Sequence, residues 1–377
     1  MRRLPVGPVA GRTVTLRLPV PSDANGIAEA CNDPVTRRFL PMLADPYTAA
    51  DALEWITVSG PAERATGGAQ FAIVLSDSDR IAGAIGLDVP PGDGRRSSIG
   101  YWVAPWARGR GVATDAVRTL AAWAFDHGFG RAELLTEPNN AASQRVAVAA
   151  GFAHEGVRRA ASAHPDGRRD MVVWSRLSTD PASPGPRALP DLPNGLLTDG
   201  VVTLKPIVES DADDMYRLAS LPEVVATTVA RHAPTRASVG ERCATGAYKW
   251  LIGERAGCAI RDAASGEFAG HIGVFLEPAT GQALVGYGLT RRWRGRGLAS
   301  RAVRLVADWA FDVAGVARLS AGTAPDNIAS QRTLERAGFR REGYERARLP
   351  SLDGGRVDNV AWALLPGDRE PVNSPGQ

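Results

Sequence analysis

The sequence has few of the residues that build disulfide frameworks and metal sites. Its 377 residues include only three cysteines, Cys31, Cys243 and Cys258, without the number or paired spacing that a disulfide scaffold or a cysteine metal site needs. The five histidines are scattered along the chain, without the close spacing of a zinc site. We therefore predict no disulfide framework and no metal centre.

Excess charge and long apolar runs are also lacking. The formal net charge is only +3 at pH 7, so the composition indicates no nucleic-acid partner. No apolar run approaches the length of a membrane span, and Met1-Arg2-Arg3 is followed by proline and glycine rather than by an apolar signal core. These absences predict a cytoplasmic protein that binds neither nucleic acid nor membrane.

What the sequence does contain is an internal duplication. Trp123-Ala124-Phe125 matches Trp309-Ala310-Phe311, and Trp174 matches Trp362, at offsets of 186 and 188 residues in the numbering. This period is far too long for a solenoid repeat. With 44% hydrophobic residues, each half can fill an ordinary core. The duplication therefore predicts two domains of the same fold.

A proline-rich stretch separates the two halves. Five prolines lie between Ser178 and Gly195, and their density disfavours regular structure there. The apolar residues Leu189, Leu192 and Leu196 suggest that the stretch lies against a domain. We predict an N-terminal domain at 11–178, a linker at 179–195 and a C-terminal domain at 196–366.

Hydrophobic patterning within the first half predicts mixed strands and helices around one sheet, which is an α/β or α+β arrangement. A helix is expected to open at Ser22 or Asp23, and a short helix after Pro138-Asn139-Asn140 should end at Gly151. The other predicted segments are strands near 13–18, 71–75, 81–89, 97–103, 132–136, 153–162 and 171–177, a helix near 49–59, and a long helix that follows the first arginine–glycine run and extends to about 126. The second half repeats this order from 201 to 365.

Each half carries a run of arginines and glycines between a predicted strand and a predicted helix. The two runs are Arg108-Gly109-Arg110-Gly111-Val112-Ala113 and Arg294-Gly295-Arg296-Gly297-Leu298-Ala299. A glycine-rich turn that opens a helix presents unpaired backbone N–H groups, and the helix dipole adds partial positive charge. One short glycine motif is weak evidence, but two copies in the same context predict a pair of diphosphate-binding turns.

Both runs resemble the Arg/Gln-x-x-Gly-x-Gly/Ala signature of the GNAT N-acetyltransferases. Two further segments, Asn140-Ala141-Ala142-Ser143 and Asn327-Ile328-Ala329-Ser330, are similar to the branch that acetylates ribosomal-protein N-termini. The resemblance covers nearly the whole chain in two copies. It implies two GNAT folds in tandem, each an α/β (α+β mixed sheet) domain, with acetyl-CoA as the cofactor. In this fold the fourth and fifth strands splay apart to admit pantetheine.

The resemblance also implies roles for single residues. It places a backbone N–H donor for the acetyl oxygen near Val103 and Leu289, at the end of each fourth strand. Ser143 and Ser330 occupy the position where the branch uses a serine to assist departure of the cofactor sulfur. The alternative is that each serine only bonds backbone. Asn140 and Asn327 are predicted to be helix N-caps that also contact the cofactor.

The general base is less well defined, although an alkyl amine with a pKa of about 10.4 needs one at neutral pH. The ribosomal-protein branch can use a glutamate about eleven residues beyond the glycine of Gly-Phe, where this chain has Ser162 and Leu349. We predict Asp170 and Asp358, which match each other near the final strands. The alternatives are Asp88, Glu277 and His164, while Glu155 and Glu342 are expected to be structural. Tyr101 and Tyr287 either bond substrate or belong to the core.

Acceptor specificity is expected in the segments that differ between the halves, Asn32–Leu40 and Leu221–Thr228, where Arg37 and Arg38 of the first suggest an anionic acceptor. We predict transfer of an acetyl group from acetyl-CoA to a primary amine of a small molecule, either an antibiotic or a biosynthetic intermediate. The protein would act as a monomer or homodimer. The alternatives are acetylation of a protein N-terminus, or one catalytic half beside a binding or structural half.

Overall fold

A computed structural model describes residues 4–5, 7–89, 95–185, 187–228, 232–351 and 354–369. The chain divides into two compact units, Met1–Pro186 and Arg187–Gln377, and this division lies within the predicted linker. We refer to them as the N-terminal and C-terminal units.

The N-terminal unit is one mixed sheet with helices on both faces. Its strands are β1 (Val9–Ala10), β2 (Val14–Arg17), β3 (Ala69–Leu75), β4 (Ile81–Asp88), β5 (Arg96–Val103), β6 (Arg131–Thr136), β7 (Ala153–His164) and β8 (Gly167–Leu177). Its helices are α1 (Ala24–Cys31), α2 (Pro34–Phe39), α3 (Ala49–Glu54), α4 (Gly60–Ala65), α5 (Val112–Asp126) and α6 (Ala141–Ala149).

The C-terminal unit repeats this order. Its strands are β9 (Leu197–Thr198), β10 (Val202–Pro206), β11 (Arg255–Asp262), β12 (Phe268–Glu277), β13 (Gln282–Leu289), β14 (Arg318–Thr323), β15 (Arg340–Pro350) and β16 (Arg356–Leu364). Its helices are α7 (Ala212–Ala219), α8 (Pro222–Val225), α9 (Arg236–Ala244), α10 (Gly246–Leu251), α11 (Leu298–Asp312) and α12 (Ile328–Arg336).

The two sheets have the same topology. The strand orders are β1-β2-β3-β4-β5-β6-β8-β7 and β9-β10-β11-β12-β13-β14-β16-β15. The only parallel pairs among the described strands are β5 with β6 and β13 with β14, and each is joined over three residues at the start of its strands. Beyond Ser98 and Leu284 the neighbouring strands separate. Each sheet therefore opens as a wedge between its two parallel strands, as the tandem GNAT resemblance implies.

Three features of the fold differ from the predicted elements. The short edge strands β1 and β9 were not predicted. The segment from Asn32 to Leu40 contains the helix α2, which Asp33 caps by accepting a hydrogen bond from the Thr36 N–H. The second predicted helix extends through a π-helical turn at Trp55–Ser59 into α4, so it ends at Ala65 rather than Ser59. The remaining elements lie within a few residues of their predicted bounds.

Part of the linker packs into the C-terminal unit. Leu189 is fully buried and Leu192 is 5% exposed, and both belong to the apolar core that surrounds α11. The Trp250 indole N–H donates to the Pro190 carbonyl oxygen at 3.0 Å, which holds the same stretch in place. These contacts match the expectation that the linker lies against a domain.

A buried carboxylate joins the first strands of the N-terminal unit to α5. Asp115, in the first turn of α5, accepts hydrogen bonds from the backbone N–H groups of Arg12, Thr13 and Val14 and from the Thr13 hydroxyl. At the matching place in the C-terminal unit the charges are reversed, because Arg301 of α11 pairs with Asp199 at 2.8 Å. Asp199 in turn accepts the backbone N–H groups of Val201 and Val202.

The Asp115→Ala variant should lose about 3 kcal/mol of unfolding free energy, because it strands several partly buried donors at once. The measurement is chemical denaturation of the full chain, with Asp126→Ala as the control, since Asp126 is an exposed carboxylate at the far end of the same helix. Equal stability of the two variants would contradict the prediction.

Candidate active site

The wedge between the parallel strands directs backbone donors into the opening of each unit. Ala104 N–H donates to Ala82 O at 2.8 Å, and Thr290 N–H donates to Ala269 O at 2.9 Å. Because donors alternate between the two edges of an antiparallel strand, the preceding N–H groups, of Val103 and Leu289, point to the opposite edge, where the partner strand has separated. Both groups can therefore donate to a ligand inside the wedge.

The glycine runs form the predicted turns at the helix starts. Gly109, Gly111, Gly295 and Gly297 all have φ between +72° and +78°, a region that favours glycine. A Cβ built on any of the four would have no atom within 4 Å, so their outer side is open. The Asp115 N–H closes the first hydrogen bond of α5 to Gly111 O, which leaves the earlier amides of the helix without an internal partner. These features fit a diphosphate-binding turn.

A tyrosine and a serine meet across each wedge. The Tyr101 hydroxyl of β5 lies 2.8 Å from Ser143 Oγ of α6, and the Tyr287 hydroxyl of β13 lies 3.0 Å from Ser330 Oγ of α12. Burial raises the pKa of Tyr101 to about 12, so this phenol stays protonated at neutral pH. Neither serine is limited to backbone bonds, and neither tyrosine is a purely apolar core residue.

The predicted asparagine caps are confirmed. Asn140 Oδ1 accepts the Ser143 N–H, and Asn327 Oδ1 accepts the Ser330 N–H, both at 3.1 Å. Gln144 anchors the same helix start by donating to the carbonyl oxygens of Glu137 and Pro138. The serines therefore have a fixed position relative to the strand that precedes each helix.

The first arginine of each glycine run joins the turn to the acceptor-side helix. Arg108 Nε donates to Val103 O, and its guanidinium contacts Asp33 at 2.5 Å and Thr36 Oγ1 at 2.8 Å. Arg294 donates to Leu289 O and to Glu223 of α8. Both residues belong to turns that were predicted to bind diphosphate, and in the structure their guanidinium groups make these contacts. Of the remaining arginines in the runs, Arg110 is exposed and Arg296 lies over the Trp293 ring.

The predicted bases Asp170 and Asp358 lie beside strand bulges. Each accepts the N–H of a bulge alanine on the neighbouring strand, Ala160 at 2.8 Å and Ala347 at 2.7 Å, and both alanines have a positive φ near 50°. A hydrogen bond from Tyr344 followed by the Ala347 N–H lowers the pKa of Asp358. These carboxylates stabilise the bulges that shape β7 and β15.

The remaining carboxylates considered as bases either pair with arginines or lie at the closed end of the wedge. Glu155 pairs with Arg131, and hydrogen bonds from Arg131 and Ser175 lower its pKa to about 2, while Glu342 pairs with Arg318. Both are structural, as predicted. Asp88 and Glu277 end their strands opposite Ser98 and Gln282, at the closed end of the wedge.

His164 has a partner that sequence reasoning did not identify. Its Nε2 lies 3.4 Å from Glu137 Oε1, and the two side chains are only 9% and 11% exposed. Glu137 directly follows β6, so the pair lies beside the loop that leads to Ser143. The matching residues of the second half are Ala324 and Ser351. The sequence signal for the pair was therefore that both residues are present in the first half and both are absent from the second.

The C-terminal unit contains a cleft of about 1550 Å³ that we call the C-terminal cleft. One part of its wall is the turn and wedge already described, including Gly295, Gly297, Tyr287 and Ser330. The remaining wall carries three side chains that sequence reasoning missed, Arg242 of α9, Arg255 of β11 and His271 of β12. Burial, then the charges of Arg242 and Arg255, lower the pKa of His271 to about 4, so its imidazole is neutral at pH 7.

Metal-ligating side chains are not clustered in the part of the chain that the structure describes. Within the same residues, none of the helices has the length and apolar character to cross a membrane.

Comparison with known proteins connects this geometry to a family. The chain matches the model of the "Acetyltransferase (GNAT) domain" twice, over residues 13–153 and 202–340. "Probable N-acetyltransferase YjcK" of Bacillus subtilis (strain 168) is 40% identical over 88 residues, 23% of this chain, and the match spans about half of that protein, 48%.

Solved structures resemble one unit at a time. RimJ of Mycobacterium smegmatis in complex with CoA-disulfide is 24% identical, covering 46% of this chain and 86% of that one, with a TM-score of 0.40. The ribosomal-protein-S5-alanine acetyltransferase of Vibrio fischeri is 19% identical, covering 47% and 99%, with a TM-score of 0.41. With the family model matched over both halves, the chain belongs to the GNAT acetyltransferases and is a tandem, acetyl-CoA-dependent N-acetyltransferase.

Proposed function

We propose that the protein acetylates a primary amine of a small molecule, such as an antibiotic or a biosynthetic intermediate, and that both units bind acetyl-CoA. The observation that carries the proposal is the C-terminal cleft, in which one continuous wall joins the glycine turn, the Tyr287–Ser330 pair and the polar side chains of α9, β11 and β12. Such a cleft can enclose a small amine beside the cofactor. The absence of the branch glutamate at Ser162 and Leu349 also favours this acceptor class.

Acetyl-CoA supplies an acetyl group activated as a thioester. The amine nitrogen bonds to the carbonyl carbon, the carbon–sulfur bond breaks, the amine gives up a proton and the departing sulfur gains one. In this proposal the N–H groups of Val103 and Leu289 donate to the carbonyl oxygen as its charge grows. The hydroxyls of Ser143 and Ser330 donate a proton to the sulfur, each supported by its tyrosine, and the proton that leaves the amine restores the serine hydroxyl. The open glycine turns hold the diphosphate through backbone N–H groups.

For the amine proton we propose His164 in the N-terminal unit, in place of Asp170. Its contact with Glu137 orients the imidazole beside the loop that leads to Ser143. In the C-terminal unit the corresponding proposal is His271, in place of Asp358, because His271 lines the C-terminal cleft opposite Gly288.

Thiol release measured against a panel of small primary amines tests the proposal. We expect release with at least one of them when acetyl-CoA is present, and an acetyl mass increment on that amine. A parallel panel of peptides with free N-termini covers the alternative, since the GNAT branch that the sequence resembles acetylates protein N-termini. Acetylated peptides without turnover of any small amine would overturn the proposal in favour of N-terminal acetylation.

A further inference from the structure

We propose that the C-terminal cleft selects an amine that also carries an anionic group, a carboxylate or a phosphate, which Arg242 and Arg255 bind. This inference rests on the proposed function and specifies the acceptor of one of the two units. It replaces the expectation from the sequence that Arg37 and Arg38 receive an anionic acceptor. Arg37 pairs with Asp45 at 2.8 Å and bonds Ala44 O, and Arg38 lies over the Phe39 ring.

The two arginines carry charge that the protein does not neutralise. Within the described residues, neither Arg242 nor Arg255 has a carboxylate within 4 Å or a hydrogen-bond partner, and the guanidinium of Arg255 lies over the Phe275 ring at 5.8 Å. Burial and then the positive charge of Arg242 lower the pKa of Arg255. Arg255 is half-buried and Arg242 beside it is exposed, and a partly desolvated cation next to a second cation is unfavourable until an anion joins them.

Four carboxylates line the same cleft; Asp326 lies in the turn before the Asn327 cap, and the other three are already engaged. Glu223 bonds Arg291 and Arg294, Glu342 bonds Arg318, and Glu345 accepts from Asn359. Glu254, next to Arg255 in the chain, pairs with Lys249 at 2.6 Å. Arg332 and Arg336 of α12 also line the cleft without a partner among the described residues, but both are exposed on the helix that carries Ser330, whereas Arg255 is half-buried.

Space for the acceptor exists because a glycine takes the place of a tryptophan. His271 lies opposite Gly288 in the pairing of β12 with β13, whereas the N-terminal unit has Ala84 opposite Trp102 at the same register. A methyl group built on Gly288 would lie 3.4 Å from His271 Nε2. Trp102 instead packs against the apolar cluster beneath α1 and α3.

The N-terminal unit has no counterpart of the arginine pair. Thr48 and Thr235 cap matching helices, and seven residues beyond each cap lie Trp55 and Arg242, respectively. Gly68 occupies the position that matches Arg255. The same wall is therefore aromatic in one unit and cationic in the other, so the two units are built for acceptors of different charge.

Matched amines that differ only in the anionic group test the inference on the full chain. β-Alanine is compared with propylamine and phosphoethanolamine with ethanolamine, at saturating acetyl-CoA. We expect at least a 10-fold higher kcat/KM for at least one anionic amine of the two pairs. The pair that shows the preference distinguishes a carboxylate from a phosphate.

Variants assign the preference to the arginines. Arg242→Met and Arg255→Met should each raise KM for the anionic amine by about 10-fold or more, because each removes a charge-assisted bond. The KM for acetyl-CoA should stay within about 2-fold, and Arg255→Lys should retain part of the affinity because it keeps the charge. Arg236→Gln is the matched control, since Arg236 is on the same helix but pairs with Asp213.

The possible outcomes separate this inference from the proposed function. Turnover of neutral and anionic amines with equal KM, unaffected by either Arg→Met variant, would overturn the inference and leave the acetyltransferase proposal intact. Without turnover of any amine, the proposed function fails, and calorimetric titration with β-alanine and phosphoethanolamine in the presence of CoA still tests the anion site. Binding that both Arg→Met variants abolish would support that site, whereas absence of binding would overturn it.

Discussion

The double variant Ser143→Ala/Ser330→Ala should release CoA thiol at least about 100-fold more slowly than the wild type, because it removes the proton donor for the departing sulfur in both units. Each serine is already aligned by a tyrosine hydroxyl and by an asparagine cap on its own N–H. The affinity for acetyl-CoA should change little, since the change removes one hydroxyl from each site. The measurement is kcat by thiol release, with affinity measured separately by calorimetry.

The single variants then report on each unit. If both units turn over the same amine, each single Ser→Ala variant should keep a substantial fraction of the wild-type rate. If one unit acts alone, only the variant of that unit's serine should lose the rate. Ser78→Ala is the control, because Ser78 lies in an exposed turn between β3 and β4. A double variant with the wild-type rate would show that the serines only position the helix starts.

Gly111→Val and Gly297→Val should each reduce the number of acetyl-CoA sites from two per chain to one, and the double variant should have none. Valine is strongly disfavoured at the φ of +78° that both glycines adopt, and its side chain would project onto the open side of the turn, where the diphosphate is expected. Titration calorimetry gives the stoichiometry directly.

Gly128→Val and Gly315→Val are matched controls for backbone strain. These glycines also have positive φ values, +91° and +67°, with no atom within 4 Å of a built Cβ, but they follow the C-terminal ends of α5 and α11. Both controls should keep two sites. Two sites in the Gly111→Val/Gly297→Val double variant would contradict the assignment of the turns.

Local signals explain what could be predicted from the sequence. The helix starts after Gly111 and Gly297, the caps Asn140 and Asn327, and the C-terminal Gly151 all depend on residues within one turn of each other, so the pattern alone predicts them. Helix α2 also has a local signature, an aspartate cap followed by Pro34, but its six residues are too few for a helical period to show.

Long-range contacts explain what could not be predicted. Arg108 meets Asp33 across 75 positions of sequence, and no spacing rule distinguishes that contact from a phosphate-binding role. Asp170 was proposed as a base because it recurs in both halves, yet it recurs because both halves share a bulge. The left-handed conformation of Ala160 has no residue-type signal, since alanine seldom adopts it.

The reversed charges at the first strands have a consequence for how two similar halves fold within one chain. In a mispaired intermediate, the loop bearing Asp199 would meet the helix bearing Asp115, and two carboxylates would face each other. The converse mismatch would direct the amides around Thr13 toward the guanidinium of Arg301, which offers them no acceptor. Exchange of segments between the halves is therefore penalised in both directions, a safeguard that a tandem duplication needs.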